Sequence, residues 1–357
     1  MSVSFLVLLL GLLFHNGKAK VESQGCHSPD VERTAEEVLQ QINQDRTDGY
    51  ILTLNRLYDL SSTSNQEKSG SVYNLTIDVL ETKCHSISKK PWKQCEVRGL
   101  GDIPVYGECQ ASVQVDAQVK LESYSCALRE VAATAIVHVC PDCPTADNLN
   151  EPVIKETAKL ALQKFNKESH LANYFALGNI TKASSQWVVG PSYFVEFTVL
   201  ETECSKETDF SELTHCQPMN CQFAHRGFCT GSHMTHEEAF KNMNPVGKDA
   251  SSFQKAESVE VKCAIYEPQA ATVEEQAQQL VAKAVSGHPE QHDHNHTHLH
   301  HHEHVHSVTQ GSDVTVSNPK GLLGRIVFEP ATPRSAPTAS SCPSARRHNL
   351  GLRSPLL

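Results

Sequence analysis

The sequence predicts an α+β fold built twice: a helix laid across an antiparallel sheet, then the same arrangement again, ending in a disordered His-rich tail. Three observations carry this. Val79-Leu80-Glu81-Thr82-Lys83-Cys84 returns as Val199-Leu200-Glu201-Thr202-Glu203-Cys204 at an offset of 120 residues, Cys109 and Cys229 share that offset, and Cys95 and Cys216 lie 121 apart. Self-similarity at that distance means two copies of one module. Each copy opens with apolar residues at helical spacing and continues with strand-like runs, and strands with no helix between them favour an antiparallel sheet. The predicted layout is a signal peptide at 1–19, a first module at 26–139, a linker at 140–144, a second module at 145–268 and a disordered tail at 269–357.

The run Phe5 to Phe14 is apolar, ten residues long and followed by small and polar residues through Ala19. It reads as a secretory signal peptide, although Lys and Arg are missing from its amino end. It is too short for a membrane-spanning helix, and no later segment approaches that length, so the expectation is a secreted, extracellular protein without a membrane anchor. The sequons at Asn74, Asn179 and Asn295 suit that compartment and predict glycosylation.

In the first copy, Val31, Ala35, Val38, Leu39 and Ile42 share one helical face, and in the second Ile154, Ala158, Ala161 and Phe165 do. Strands are expected over 50–57 and 72–80, around Cys109 and Cys126 and over 131–139, then over 174–180 and 193–200, at Phe228 and over 259–266. From Gln269 onward Gln, Ala, His, Pro and Ser dominate, which predicts disorder apart from a short helix over 275–284.

Among 357 residues, 39% are hydrophobic and 20% charged, with a formal net charge of -10, so the chain has no general basic face for nucleic acid. Thirteen cysteines point to an oxidising compartment. They group by copy as Cys84 with Cys95, Cys109 with Cys126, Cys204 with Cys216 and Cys229 with Cys263. Cys26 and Cys342 remain at opposite ends, where a bridge would tie the tail back to the first module, and Cys221 has no assigned partner.

Cys140-Pro141-Asp142-Cys143-Pro144 falls between the copies. A Cys140–Cys143 disulfide would close a very small ring, stiffened by Pro141, and would hold Asp142 out rigidly. A carboxylate so presented suits the open coordination position of a catalytic zinc. The competing readings are a plain structural crosslink, a redox pair and half a zinc site; the last two want a βαβ setting or a second cysteine pair that the sequence does not show. The second feature is Gln186-Trp187-Val188-Val189-Gly190-Pro191, a turn between two strands of the second copy with apolar side chains at its tip. It is either a wedge for another protein's cleft or a piece of its own core; the matching place in the first copy, 61–70, is polar.

Gln186 to Gly190 matches the Q-x-V-x-G signature of cystatins, and two such modules joined through a Cys-Pro-Asp-Cys-Pro linker resemble the fetuin family. Gly49-Tyr50, Leu54-Asn55-Arg56, Asp78-Val79-Leu80-Glu81-Thr82, Lys89-Lys90 before Trp92, and Val105-Tyr106-Gly107 point the same way. The resemblance implies a tandem cystatin fold and a non-enzymatic inhibitor of astacin-type zinc metalloproteinases, with Asp142 ligating the protease zinc and residues 187–191 supporting it on the cleft wall. For one branch of the family it implies restraint of an egg protease, ovastacin, so that the egg coat (zona pellucida) does not harden before fertilisation. Another branch implies the alternative of a mineral-binding carrier, for which Asp78 and Glu81 would serve calcium phosphate unless they are merely a solvated face. Cysteine-protease inhibition fits less well: the Pro-Trp pair is Pro91-Trp92, between Cys84 and Cys95, and no glycine stands between Pro144 and Ile154.

Ten of the 20 histidines lie within 288–306. His292, His294, His296, His298, His300 and His302 would bind divalent metal weakly or gain charge in acid, or are a tolerated low-complexity insertion. No fixed metal site and no cofactor is expected. His233 and His236 complete no His-Glu-x-x-His, and no nucleophile elbow or phosphate loop is present.

Overall fold

The computed structural model describes residues 25–63, 71–188, 190–208, 216–219, 223–234, 258–268, 322–330 and 333–352. Helix α1 (Pro29–Asp45) starts with proline in its first turn and acidic Asp30 and Glu32 beside the positive end of the helix dipole. Its face Val31, Ala35, Val38, Leu39 and Ile42 is wholly buried against strands β1 (Tyr50–Thr63), β2 (Ser71–His85), β3 (Val105–Val115) and β4 (Val119–Glu130). On β2, Leu75, Ile77 and Val79 face the helix, and the residues between them face away, as the two-residue repeat of a strand requires.

The second module repeats the plan with α3 (Pro152–Glu168) on β6 (Asn173–Trp187), β7 (Pro191–Ser205), β8 (Arg226–Met234) and β9 (Ser258–Tyr266), while β5 (Thr145–Ala146) adds to the β6 edge. Gly231 of β8 allows α3 to come close, since a Cβ there would lie 2.6 Å from that of Ala161. In both modules an asparagine of the helix clasps the first long strand in two hydrogen bonds: Asn43 to Leu52, and Asn166 to Phe175. Thr82 and Thr202, from the repeated hexapeptide, donate to Ile51 O and Tyr174 O, each at 2.7 Å.

The structure contains the disulfides Cys26–Cys342, Cys84–Cys95, Cys109–Cys126, Cys140–Cys143, Cys204–Cys216 and Cys229–Cys263. Cys109 faces Cys126 directly across β3 and β4, and Cys229 faces Cys263 across β8 and β9. Such crosslinks each stabilise a domain by about 2 to 4 kcal/mol.

Two expectations are corrected. Residues 131–139 are not a strand: β4 stops at Glu130, and α2 (Ala133–Val139) follows. The run Ala132-Ala133-Thr134-Ala135 favours helix over strand, and Ile136 gains burial by it. The expected disorder of 269–357 does not hold for its last part. Strand β10 (Gly324–Phe328) pairs parallel with β4, and residues 333–352 pack on the first module. Sequence composition hid this because the segment is held by ion pairs and backbone hydrogen bonds more than by apolar residues. The proposed signal peptide, Cys221, Asn295, the expected helix at 275–284 and the histidine run lie outside the described residues, and so does Val189.

Candidate functional site

The linker leaves α2 with Cys140 N donating to Ile136 O at 2.8 Å, and Cys143 N donates back to Cys140 O at 3.1 Å. A four-residue turn closed by its own disulfide therefore follows the helix at once. Pro141 and Asp142 are exposed on it, whereas Cys143 and Pro144 are half-buried. Beyond it, Thr145 and Ala146 pair with Ser185 and Ser184 of β6, and Asp147 N donates to Ala183 O. Gln186 then reaches across, donating from Nε2 to the main-chain oxygen of Asp142 at 2.5 Å. The backbone of Asp142 is thus fixed from three sides, while its carboxylate has no partner among the described residues.

The same glutamine begins the hairpin tip. Trp187 and Pro191 are the last paired residues of β6 and β7. Trp187 is 77% exposed and Val188 56%, so neither belongs to a core. Packing of these two into their own module is excluded. Of eight large exposed hydrophobics among the described residues, five (Val137, Val139, Leu149, Trp187, Val188) lie on the linker flanks or the hairpin. Concentrated apolar exposure marks an interaction surface. The sequence reading missed Val137, Val139 and Leu149; Val139, an apolar residue directly before Cys140, was the available signal.

Beneath this surface the modules meet through a buried charge network. Arg98, 1% exposed, donates Nη1 and Nη2 to the two oxygens of Glu196 at 2.8 and 2.6 Å, and Nε to Glu81 at 2.8 Å. Lys182 Nζ stands 3.2 Å from Glu81, the Arg98 guanidinium lies 4.3 Å over the Tyr50 ring, and Tyr50 Oη is 2.7 Å from Thr181. Burial opposes the Arg98 charge, but Glu196 and Glu81 outweigh it and raise its pKa; reciprocally, burial would raise Glu196, and Arg98 pulls it down. Asp78 is also buried, paired with Arg56 and with Arg334 of the C-terminal segment. Neither Asp78 nor Glu81 is a solvated carboxylate open to mineral, which corrects that expectation for both.

His85, stacked on Phe228 at 5.1 Å between the modules, has its pKa lowered to about 4 by burial, with Arg46 and Arg98 adding to the effect against Asp48 and Glu196. Its Nδ1 accepts from Ile87 N, a bond that needs the ring neutral. A depressed histidine contributes stability above its unfolded value of about 6.5 and loses it as the pH falls. His85→Gln is therefore expected to remove about 1 kcal/mol of the stability change between pH 7.5 and 5.5, read as the difference between the two proteins' urea curves; parallel curves at both pH values contradict the assignment.

A family model, the cystatin domain, matches residues 21–118 and again 143–236. Fetuin-B of Bos taurus is 42% identical over 215 residues, covering 59% of this chain and 54% of the relative. Mouse fetuin-B, solved in complex with crayfish astacin, superposes with a TM-score of 0.54 at 34% identity, over 68% of this chain and 73% of the other. The chain belongs to the fetuin family. A second fetuin structure, the inhibitory complex of human meprin beta with mouse fetuin-B, gives a TM-score of 0.56 at 36% identity, over 69% of this chain and 74% of that one. Alignment spans little more than half the length of the bovine fetuin. No helix among the described residues is long and apolar enough to cross a membrane.

Proposed function

We propose that this chain is a secreted inhibitor of astacin-type zinc metalloproteinases and that the Asp142 carboxylate ligates the protease's zinc. The observation that carries the reading is the turn 140–143: its backbone is pinned by a disulfide, by β5 and by Gln186, yet it offers an unpartnered carboxylate beside exposed Trp187 and Val188. A catalytic zinc keeps one position open for water or substrate, and an anionic oxygen that fills it blocks the reaction. Because the turn is ordered before binding, little conformational entropy is lost on insertion. Support by relation comes from mouse fetuin-B, solved with crayfish astacin and with human meprin beta. On this reading the protein is not an enzyme, and an egg-coat protease of the ovastacin kind is the partner we infer, the outcome being protection of the egg coat from early hardening. Exposed Asn74 and Asn179 are inferred to carry glycans, in keeping with secretion.

Papain-type inhibition is disfavoured by Trp92, which is 6% exposed and packed in the first core, so it offers no wedge. The mineral-carrier reading loses Asp78 and Glu81 to buried ion pairs. Titrating the full-length protein against an astacin-type protease and, separately, against calcium phosphate precipitation tests the choice: stoichiometric loss of proteolysis is expected, and an effect on mineral alone overturns the proposal. Trp187→Ala is expected to weaken inhibition by about 1 to 3 kcal/mol, the range of an interface aromatic, or roughly 5- to 150-fold in the inhibition constant. An unchanged constant would remove the hairpin from the interface.

A further inference from the structure

The C-terminal segment closes both edges of the first sheet and crosses its outer face between them. At one edge β10 pairs with β4, continued by Glu329 N donating to Leu128 O. Arg334 then lies over the sheet, with Nη1 2.7 Å from Asp78, Nε 2.8 Å from Glu108, and its guanidinium stacked on the Tyr58 ring. Asp59 accepts from Thr338 and Ala339, and Cys342 is bonded to Cys26. At the far edge Ser344 N and Arg347 N donate to Leu57 O and Asn55 O of β1. Free strand edges are sites of unwanted pairing, and this strap covers two.

The strap ends beneath the linker. Leu350 and Leu352 pack on a small apolar cluster, separate from the main core, formed by Leu80, Ile103, Tyr106, Val131 and Ile136. Cys143 of the linker packs on the same cluster, and Ile136 belongs to α2, whose carbonyl receives Cys140 N. The floor that supports the linker is therefore completed by residues more than two hundred positions further along the chain. A small cluster gives little stability by itself, so two leucines are a large share of what keeps α2 and the turn from shifting.

We propose that residues 333–352 are a tethered brace in which Leu350 and Leu352 are positioning residues for the Cys140–Cys143 turn. The claim rests on the inhibitor reading for its effect on protease, but not for its effect on linker order. The test uses the full chain carrying Leu350→Ser and Leu352→Ser, with hydrogen exchange of the amides at 136–146 and the inhibition constant against an astacin-type protease as readouts. Exchange at those amides is expected to rise about tenfold and inhibition to weaken by a similar factor, with exchange in α1 and β2 unchanged; Leu350→Met with Leu352→Met is expected to restore both. Wild-type exchange and wild-type inhibition in the serine variant overturn the brace. If the wild-type protein fails to inhibit at all, the inhibitor reading falls and exchange alone decides the brace. Should the serine variant lose its fold, Leu350→Ala with Leu352→Ala, a milder truncation of the same contacts, is expected to raise exchange at 136–146, and no rise overturns the proposal.

Discussion

Asp142→Ala is expected to raise the inhibition constant against an astacin-type protease by about thirtyfold or more while leaving the urea midpoint of the inhibitor in place. The first half follows from the role given to the carboxylate: a group that fills the metal's open position sits at the centre of the interface, where truncation removes about 2 kcal/mol or more. The second follows from its surroundings. The side chain is exposed and makes no contact with either core, and the bond from Gln186 goes to the main-chain oxygen, which alanine keeps. Gln186→Ala separates the two contributions, because it removes one of the three restraints on the turn without removing the ligand. Inhibition by the alanine variant at the wild-type level would leave the turn with a structural role only.

Arg98→Met is expected to produce the largest loss of stability of any single change at the module interface, about 3 to 5 kcal/mol, because it leaves buried carboxylates without their main partner. Glu81 retains Lys182 at 3.2 Å, but Glu196 loses both strong hydrogen bonds. Replacing the network by apolar residues of similar volume would be far milder, since the penalty comes from the abandoned charges rather than from the net value of the pairs. The quadruple change Arg98→Met, Lys182→Met, Glu81→Met, Glu196→Leu in urea unfolding tests that reasoning, with Lys182 included because it would otherwise lose Glu81. A single variant as stable as the wild type would mean that water already reaches the network and that the modules are not locked by it.

How much of this was legible beforehand depended on the distance over which each interaction acts. The helix faces of α1 and α3 and the strands after them could be read, because amphipathic periodicity is local. The repeated Glu-Thr-x-Cys was legible as a repeat, but its reason emerges only in three dimensions, where Thr82 and Thr202 tie strand to strand. Asn43 and Asn166 escaped notice since asparagine in a helix carries no pattern of its own. The stretch at 131–139 misled because a short apolar run fits helix and strand equally well. Arg98 and Glu196 are separated by 98 residues, and nothing in a single sequence couples them. At the candidate site the turn and the hairpin could each be picked out by composition, whereas the Gln186 bond that joins them, the apolar flanks Val137 and Leu149, and the leucines beneath required the fold.

The most direct test of zinc ligation is the visible spectrum of an astacin-type protease whose zinc has been replaced by cobalt, recorded as the inhibitor is added. Wild-type protein is expected to shift the cobalt d–d bands with a one-to-one end point, as a new oxygen ligand enters the metal's open position, and Asp142→Ala is expected to leave them where they are. Inhibition by the wild-type protein with no spectral change would contradict the account, because the protease would then be blocked without its metal being touched.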